Sequence, residues 1–212
     1  WVLDPLCFML IYVFMFGYVF KSNQQYFAIF VFIGITLWDF FNKSLLQSVK
    51  VIKANKPIVS KVYIPKFILV IIRMCINGYK MFIYFLIVEV MLIVCRVPIT
   101  WNILYCIPIL LTLFMLVFGF GCFLLHYGVF VEDLGNVLNI ALRLIFYLTG
   151  VFWNIMDRLP APYNAYIGKG NPIAFLLTSM RECLIYGQPP HRKLLLAWFL
   201  IGLLISIIVI RK

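Results

Sequence analysis

The groups that could do covalent chemistry are few and poorly placed for it. His126 and His191 are the two histidines, and seven acids face 18 lysines and arginines in 212 residues. Glu132 and Asp133 are adjacent, and adjacent side chains on a helix point about 100° apart, so they do not make the facing carboxylate pair of general acid–base chemistry. They suit another task, capping the first turn of the following helix against its dipole. Cys7, Cys75, Cys95, Cys106, Cys122 and Cys183 are scattered with no CxxC pair, which fits small apolar packing. Gly168-Lys169-Gly170 lacks the upstream glycine spacing of a GxxxxGK[ST] phosphate loop, so the chain is not expected to bind ATP itself. What remains is a basic run without acids, Lys50, Lys53, Lys56, Lys61 and Lys66, punctuated by Pro57 and Pro65.

The elements that must position these residues are membrane-crossing helices. The chain is 65% hydrophobic and 12% charged, too apolar for the polar surface of a soluble domain. At about 20 residues per crossing, six crossings use about 120 residues. The dispersed remainder is too small for a separate catalytic domain, so any energy source must sit on another chain. The net charge of +11 reads as topology and contact with anionic lipid, not as nucleic-acid binding. The expected fold is an all-α integral membrane protein with six transmembrane helices and a re-entrant helical hairpin between the fifth and sixth, forming a single domain over residues 1–212.

Span one covers Pro5 to Phe20, with Trp1 as an interfacial anchor, and ends at a polar turn over residues 21–25. Span two starts near Tyr26 and runs through Trp38 towards Leu46, with Asp39 and Lys43 neutralising each other on one face. The basic stretch from Val49 to Lys66 is placed inside. Span three fills Phe67 to Val94 and carries a polar stripe, Arg73, Asn77 and Lys80, with Glu89 roughly opposite. An external turn with Trp101 at the interface leads to span four, Ile103 to Leu125. A second internal loop, His126 to Asn136, precedes span five, which ends near Met156. From Asp157 to Lys193, prolines and glycines break the pattern into two short helices, joined at Gly168 and Gly170, that dip into the outer leaflet. Span six, Leu194 to Ile210 with Trp198 as an interfacial anchor, stops at Arg211 and Lys212. No internal repeat is present, which disfavours an inverted-repeat secondary transporter. The start at Trp1 reads as that of an excised or processed fragment.

This order of elements, together with several segments, resembles a known family. The segments are WVLDPLCFMLIYVFMFGYVF (Trp1 to Phe20), LWDFF (Leu37 to Phe41), NKPIVSKVYIP (Asn55 to Pro65), VFVEDLGN (Val129 to Asn136), and Asn171-Pro172 followed by Arg181. They resemble the permease subunits of type-2 ABC exporters, in the branch that moves lipid-linked polysaccharides such as O-antigen and wall teichoic acid. Glu132 stands where that family commonly has arginine, and the family's interface helix before span one is missing. The resemblance implies a homodimer in the bacterial cytoplasmic membrane, working with two ABC ATPase subunits that hold ATP and Mg, on a lipid-linked glycan among membrane lipids and without nucleic acid.

The resemblance also implies roles for residues. Lys50, Lys53, Asn55, Lys56, Lys61, Tyr63, Glu132 and Asp133 would couple to the ATPase subunit. For the lysines, membrane orientation and lipid contact is the plain alternative. Tyr12, Phe16, Phe30, Trp38, Phe146, Phe152 and Trp153 would line the translocation path, where aromatic faces let a repeating sugar slide; helix or lipid packing is the alternative for each. Asp157, Arg158, Tyr163, Asn171, Pro172 and Arg181 would form an outer gate, against a hairpin that merely stabilises the dimer. No metal site and no catalytic residue is expected. The rival functions are an exporter of drugs or small lipids, a membrane acyl- or glycosyltransferase, and a structural scaffold. The transferase is disfavoured because His126 and His191 fall on opposite sides of the membrane.

Overall fold

A computed structural model of the chain describes residues 7, 10, 11, 14, 26–61, 65–98, 100–128, 130–131, 133–154, 160 and 163–211, without the side chains of Lys53, Lys56, Ile58, Asn164 and Ala165. Span one, Tyr12 and Phe16 among it, lies almost wholly outside the described residues. Among them there is no strand. The α-helices are α1 (Phe27–Ala54), α2 (Lys56–Val59), α3 (Lys66–Val94), α4 (Cys106–Gly128, entered through a 3-10 turn at Trp101–Tyr105), α5 (Leu134–Leu148), α6 (Tyr163–Gly170), α7 (Pro172–Leu184) and α8 (Arg192–Ile210).

Among the described residues, four stretches are long and apolar enough to cross a membrane: Phe27–Ile52, Lys66–Val94, Trp101–Gly128 and Arg192–Ile210. They match expected spans two, three, four and six. Span two differs in length, since α1 runs to Ala54 and not to Leu46. At 1.5 Å per residue its 28 residues reach about 42 Å, beyond a hydrocarbon core of about 30 Å, so its basic end projects. It stops where the Asn55 side chain turns back to donate to the Val51 carbonyl at 2.7 Å.

Span five is shorter than expected. α5 ends at Leu148, not near Met156. The Thr149 hydroxyl donates back to the Ile145 carbonyl at 2.6 Å. Gly150 then turns left-handed, φ 67°, a backbone state that glycine enters without a Cβ penalty and that closes many helices.

α1 is the hub. It packs against α3, α4, α5 and α7, while α8 lies along α4. Small residues and short polar groups let the backbones approach, as helix pairs in lipid require when no hydrophobic force drives them together. A Cβ on Gly202 would meet the Leu116 amide nitrogen at 3.0 Å, and one on Gly119 the Gly202 carbonyl at 3.1 Å. The stripe expected on span three resolves into two environments. Asn77 is buried and donates to Ser44 Oγ at 3.1 Å and Gln47 Oε1 at 3.2 Å on α1, whereas Arg73 and Lys80 are half-buried. Glu89 is exposed.

Contacts between loops sort into two ends. At one end Val49 abuts Gly128, and the Lys50 stem lies beside Gly135. At the other, Asn102 donates to the Gly187 carbonyl at 2.6 Å, the Arg192 guanidinium lies 5.2 Å from the Tyr105 ring centroid, and Arg181 reaches Phe30, Gly150 and Val151. The two loops read as internal thus share one end, and the segments read as external share the other.

Candidate functional site

Helical spacing builds the main cleft. On α1, Ile35, Trp38, Asp39 and Asn42 recur at i, i+3, i+4 and i+7; on α5, Asn139, Leu142, Arg143, Phe146 and Tyr147 do the same. With Phe152 from the bend after α5, these residues line an open cavity of about 590 Å³. Trp38 and Phe146 lie 5.2 Å apart between ring centroids, and Phe146 and Phe152 5.3 Å, both tilted or edge-on as aromatic quadrupoles prefer. The structure therefore brings together three of the aromatics expected on a path, Trp38, Phe146 and Phe152.

The other expected path residues are placed differently. Phe30 is buried away from the cleft, stacked on Phe27 and covered by the Arg181 guanidinium at 3.4 Å. Trp153 is half-buried and does not line the cleft. Sequence reasoning missed the cleft's polar side. Asp39 was expected only to pair with Lys43, which it does at 2.8 Å. Asn42, Asn139 and Tyr147 drew no role there, and Arg143 reads from sequence only as a charge within snorkelling reach of the interface, although their i, i+4 spacing beside the aromatics was the available signal.

The described residues among those expected to couple lie at the basic end. Lys50 and Lys61 are exposed, and Asn55 is half-buried and spends its side chain on the end of α1. The short α2 carries Lys56 and Pro57, and the backbone of Lys53 lies in the last turns of α1. Asp133 holds the N-cap position of α5, but its side chain makes no cap hydrogen bond; it accepts instead from the Asn136 side chain at 3.4 Å. Capping through that carboxylate is thus corrected to a position near the positive helix end alone. Tyr63 and Glu132 lie outside the described residues.

The hairpin also departs from its expected form. Gly168 and Gly170 are both inside α6, and the break falls at Asn171. Asn171 is the N-cap of α7, its Oδ1 accepting from the amides of Ile173 at 3.1 Å and Ala174 at 3.4 Å, with Pro172 at the first helical position where its missing N–H costs nothing. Its Nδ2 donates to Thr149 Oγ1 at 3.4 Å. Tyr163 is exposed. Asp157 and Arg158 lie outside the described residues.

Arg181 lies in the interior, 3% exposed. Its guanidinium donates to the carbonyls of Phe30 at 3.0 Å, Gly150 at 2.9 Å and Val151 at 2.5 Å, with no acid in contact among the described residues. Gly34 makes room for it, since a Cβ there would come within 2.5 Å of an Arg181 nitrogen. Arg181 and Asn171 together fasten α7 to the bend that carries Phe152. Nearby, Lys169, Ser179, Glu182 and His191 line a small cavity of about 50 Å³. Burial pushes the Glu182 carboxyl above its ordinary value, and His191 partly offsets the rise.

Among the described residues, no group of three or more His, Cys, Asp or Glu is placed to hold a metal ion. No protein-family model matches the chain. Two curated proteins do, both O-antigen export system permease proteins RfbA of Klebsiella pneumoniae. One is 23% identical over 209 residues, 98% of this chain and 79% of the relative. The other is 25% identical over 190 residues, 88% of this chain and 71% of the relative. The chain is thus similar to O-antigen export permeases. That similarity bears out the resemblance to the permease subunits of type-2 ABC exporters, and with it a transport role in place of an enzymatic one.

Proposed function

We propose that the chain is the membrane subunit of an ATP-driven exporter of an O-antigen-type, lipid-linked glycan in a bacterial cytoplasmic membrane. The observation that carries this reading is the similarity, along almost the whole chain, to permeases of O-antigen export systems. The cleft adds support, because the C–H face of a pyranose packs on Trp38, Phe146 and Phe152 without a fixed hydrogen-bond pattern, which suits a polymer that must slide.

The chain acts as two copies with two ATPase subunits, which bind ATP and Mg. An apolar ridge on α5, Val137, Ile140 and Leu144, is exposed and begins where the cleft ends, about 100° round the helix. It supports closure of the open cleft by a second copy. The clustering of Lys50, Asp133 and α2 at one end supports a single docking surface whose movement passes along α1 to the cleft. In this reading α5 belongs to a fifth span, and α6 and α7 re-enter the outer leaflet. The buried apolar face of α7 supports that depth, since it meets protein.

The test is reconstitution of the permease with its ATPase subunits in vesicles. A lipid-linked O-antigen glycan should stimulate ATP turnover and reach the far side, while a drug or small lipid should not. No stimulation by any lipid-linked glycan would sink the proposal.

A further inference from the structure

α5 carries one charge in fifteen residues, Arg143, and it sits on the cleft face. A guanidinium midway along an apolar helix is costly in a bilayer unless it meets water or an anion, so its placement needs a reason. Among the described residues Arg143 has no ion pair and no side-chain hydrogen bond. The acid that shares the cleft, Asp39, is engaged by Lys43 at 2.8 Å, which leaves the cleft with an uncompensated positive group. Asn42 and Asn139, on opposite walls, also have no side-chain hydrogen bond among the described residues. Both walls thus offer a ring, Trp38 on α1 and Phe146 on α5, and both a free amide, with the planar cationic fork of Arg143 on the α5 side.

We infer that the cleft binds a sugar unit bearing an oxyanion, phosphate or carboxylate, with Arg143 as its anchor. The guanidinium fork matches two oxygens of such a group at once, which neither a neutral sugar nor an alkyl chain can offer. Asn42 and Asn139 take neighbouring hydroxyls, and Trp38 with Phe146 takes the ring face. The cavity, about 590 Å³, falls within the roughly 300–1,000 Å³ of small-molecule sites. This inference rests on the reading of the chain as a glycan exporter and adds to it the charge of the group bound.

The oxyanion has two sources, the diphosphate of a lipid carrier or an acidic sugar of the chain, and binding by the complete transporter in phosphatidylcholine vesicles separates them. The probes are farnesyl diphosphate against farnesol, and a glucuronate-containing oligosaccharide against its glucose counterpart. At least one anionic probe should bind about tenfold more tightly than its neutral partner, and the pair that shows it names the source. Arg143→Gln should abolish the preference, and Arg143→Lys, which keeps the charge, should retain part of it. Equal binding of both pairs overturns the inference, as does a preference that survives Arg143→Gln. A preference lost when phosphatidylglycerol is included overturns it too, because Arg143 then serves membrane headgroups. If lipid-linked glycan still stimulates ATP turnover while these preferences fail, the export reading stands and the anion site alone falls.

Discussion

Arg181 is the residue on which the end opposite the basic loops depends. Three carbonyls from two distant parts of the chain share its five N–H donors, so its removal leaves buried acceptors unpaired. Arg181→Met should cost on the order of 3–5 kcal/mol, read as a lowered thermal-unfolding midpoint in detergent, with Arg181→Lys recovering only part because one ammonium cannot span the fork. Gly34→Ala should cost less, about 1–3 kcal/mol, and lower the midpoint correspondingly less, since the added methyl crowds the same guanidinium and the Val151 carbonyl. Glu182 gives a pH signature. Its folded carboxyl is raised by burial, so the neutral form is the stabilising one, and stability is lost as pH rises from near the ordinary glutamate value of 4.5 through the raised folded value. Glu182→Gln should remove that slope from a plot of unfolding midpoint against pH, leaving wild-type and variant closest at low pH. None of Arg181's partners was legible in sequence, because backbone carbonyls carry no side-chain signature and Phe30 lies 151 positions away.

At the scale of elements, close approach at glycine decides how α8 sits on α4. Gly202→Val should loosen α8 from α4, because the contacts it would meet are backbone atoms of Met115 and Leu116 that cannot swing aside. A fall in unfolding midpoint of α8-containing protein, with no change on an exposed control such as Leu204→Val, is the expected readout. The cleft makes the functional counterpart. Trp38→Ala and Phe146→Ala should each reduce glycan transport by about 2- to 10-fold while sparing basal ATP turnover, and unchanged transport would exclude the rings from the path. The pairing of α1 with α5 was half legible. Hydrophobic spacing gives a face to each helix, but which two faces oppose follows from packing, so the polar residues between the aromatics could not be assigned to a shared cleft.

For the whole molecule, the two-ended arrangement of loops carries a topology. Lys61→Cys should react with a membrane-impermeant thiol reagent from the cytoplasmic side, and Tyr163→Cys from the outside, each in a background lacking native cysteines. Both positions are exposed in the chain, so labelling the permease without its ATPase subunits reports sidedness and not burial. Labelling in the reverse sense would place the basic end outside and remove the docking surface from any cytoplasmic ATPase.

Hydropathy and helix boundaries are local properties, and for that reason the sequence alone determined a helical membrane protein, the positions of α1, α3, α4 and α8, and the alternation of their connecting loops. Burial of Asn77 against Ser44, the early end of α5 at Gly150, the break at Asn171 and the reach of Arg181 to Phe30 are decided by neighbours far along the chain. Those contacts form only when the helices pack, so only the tertiary structure assigns them.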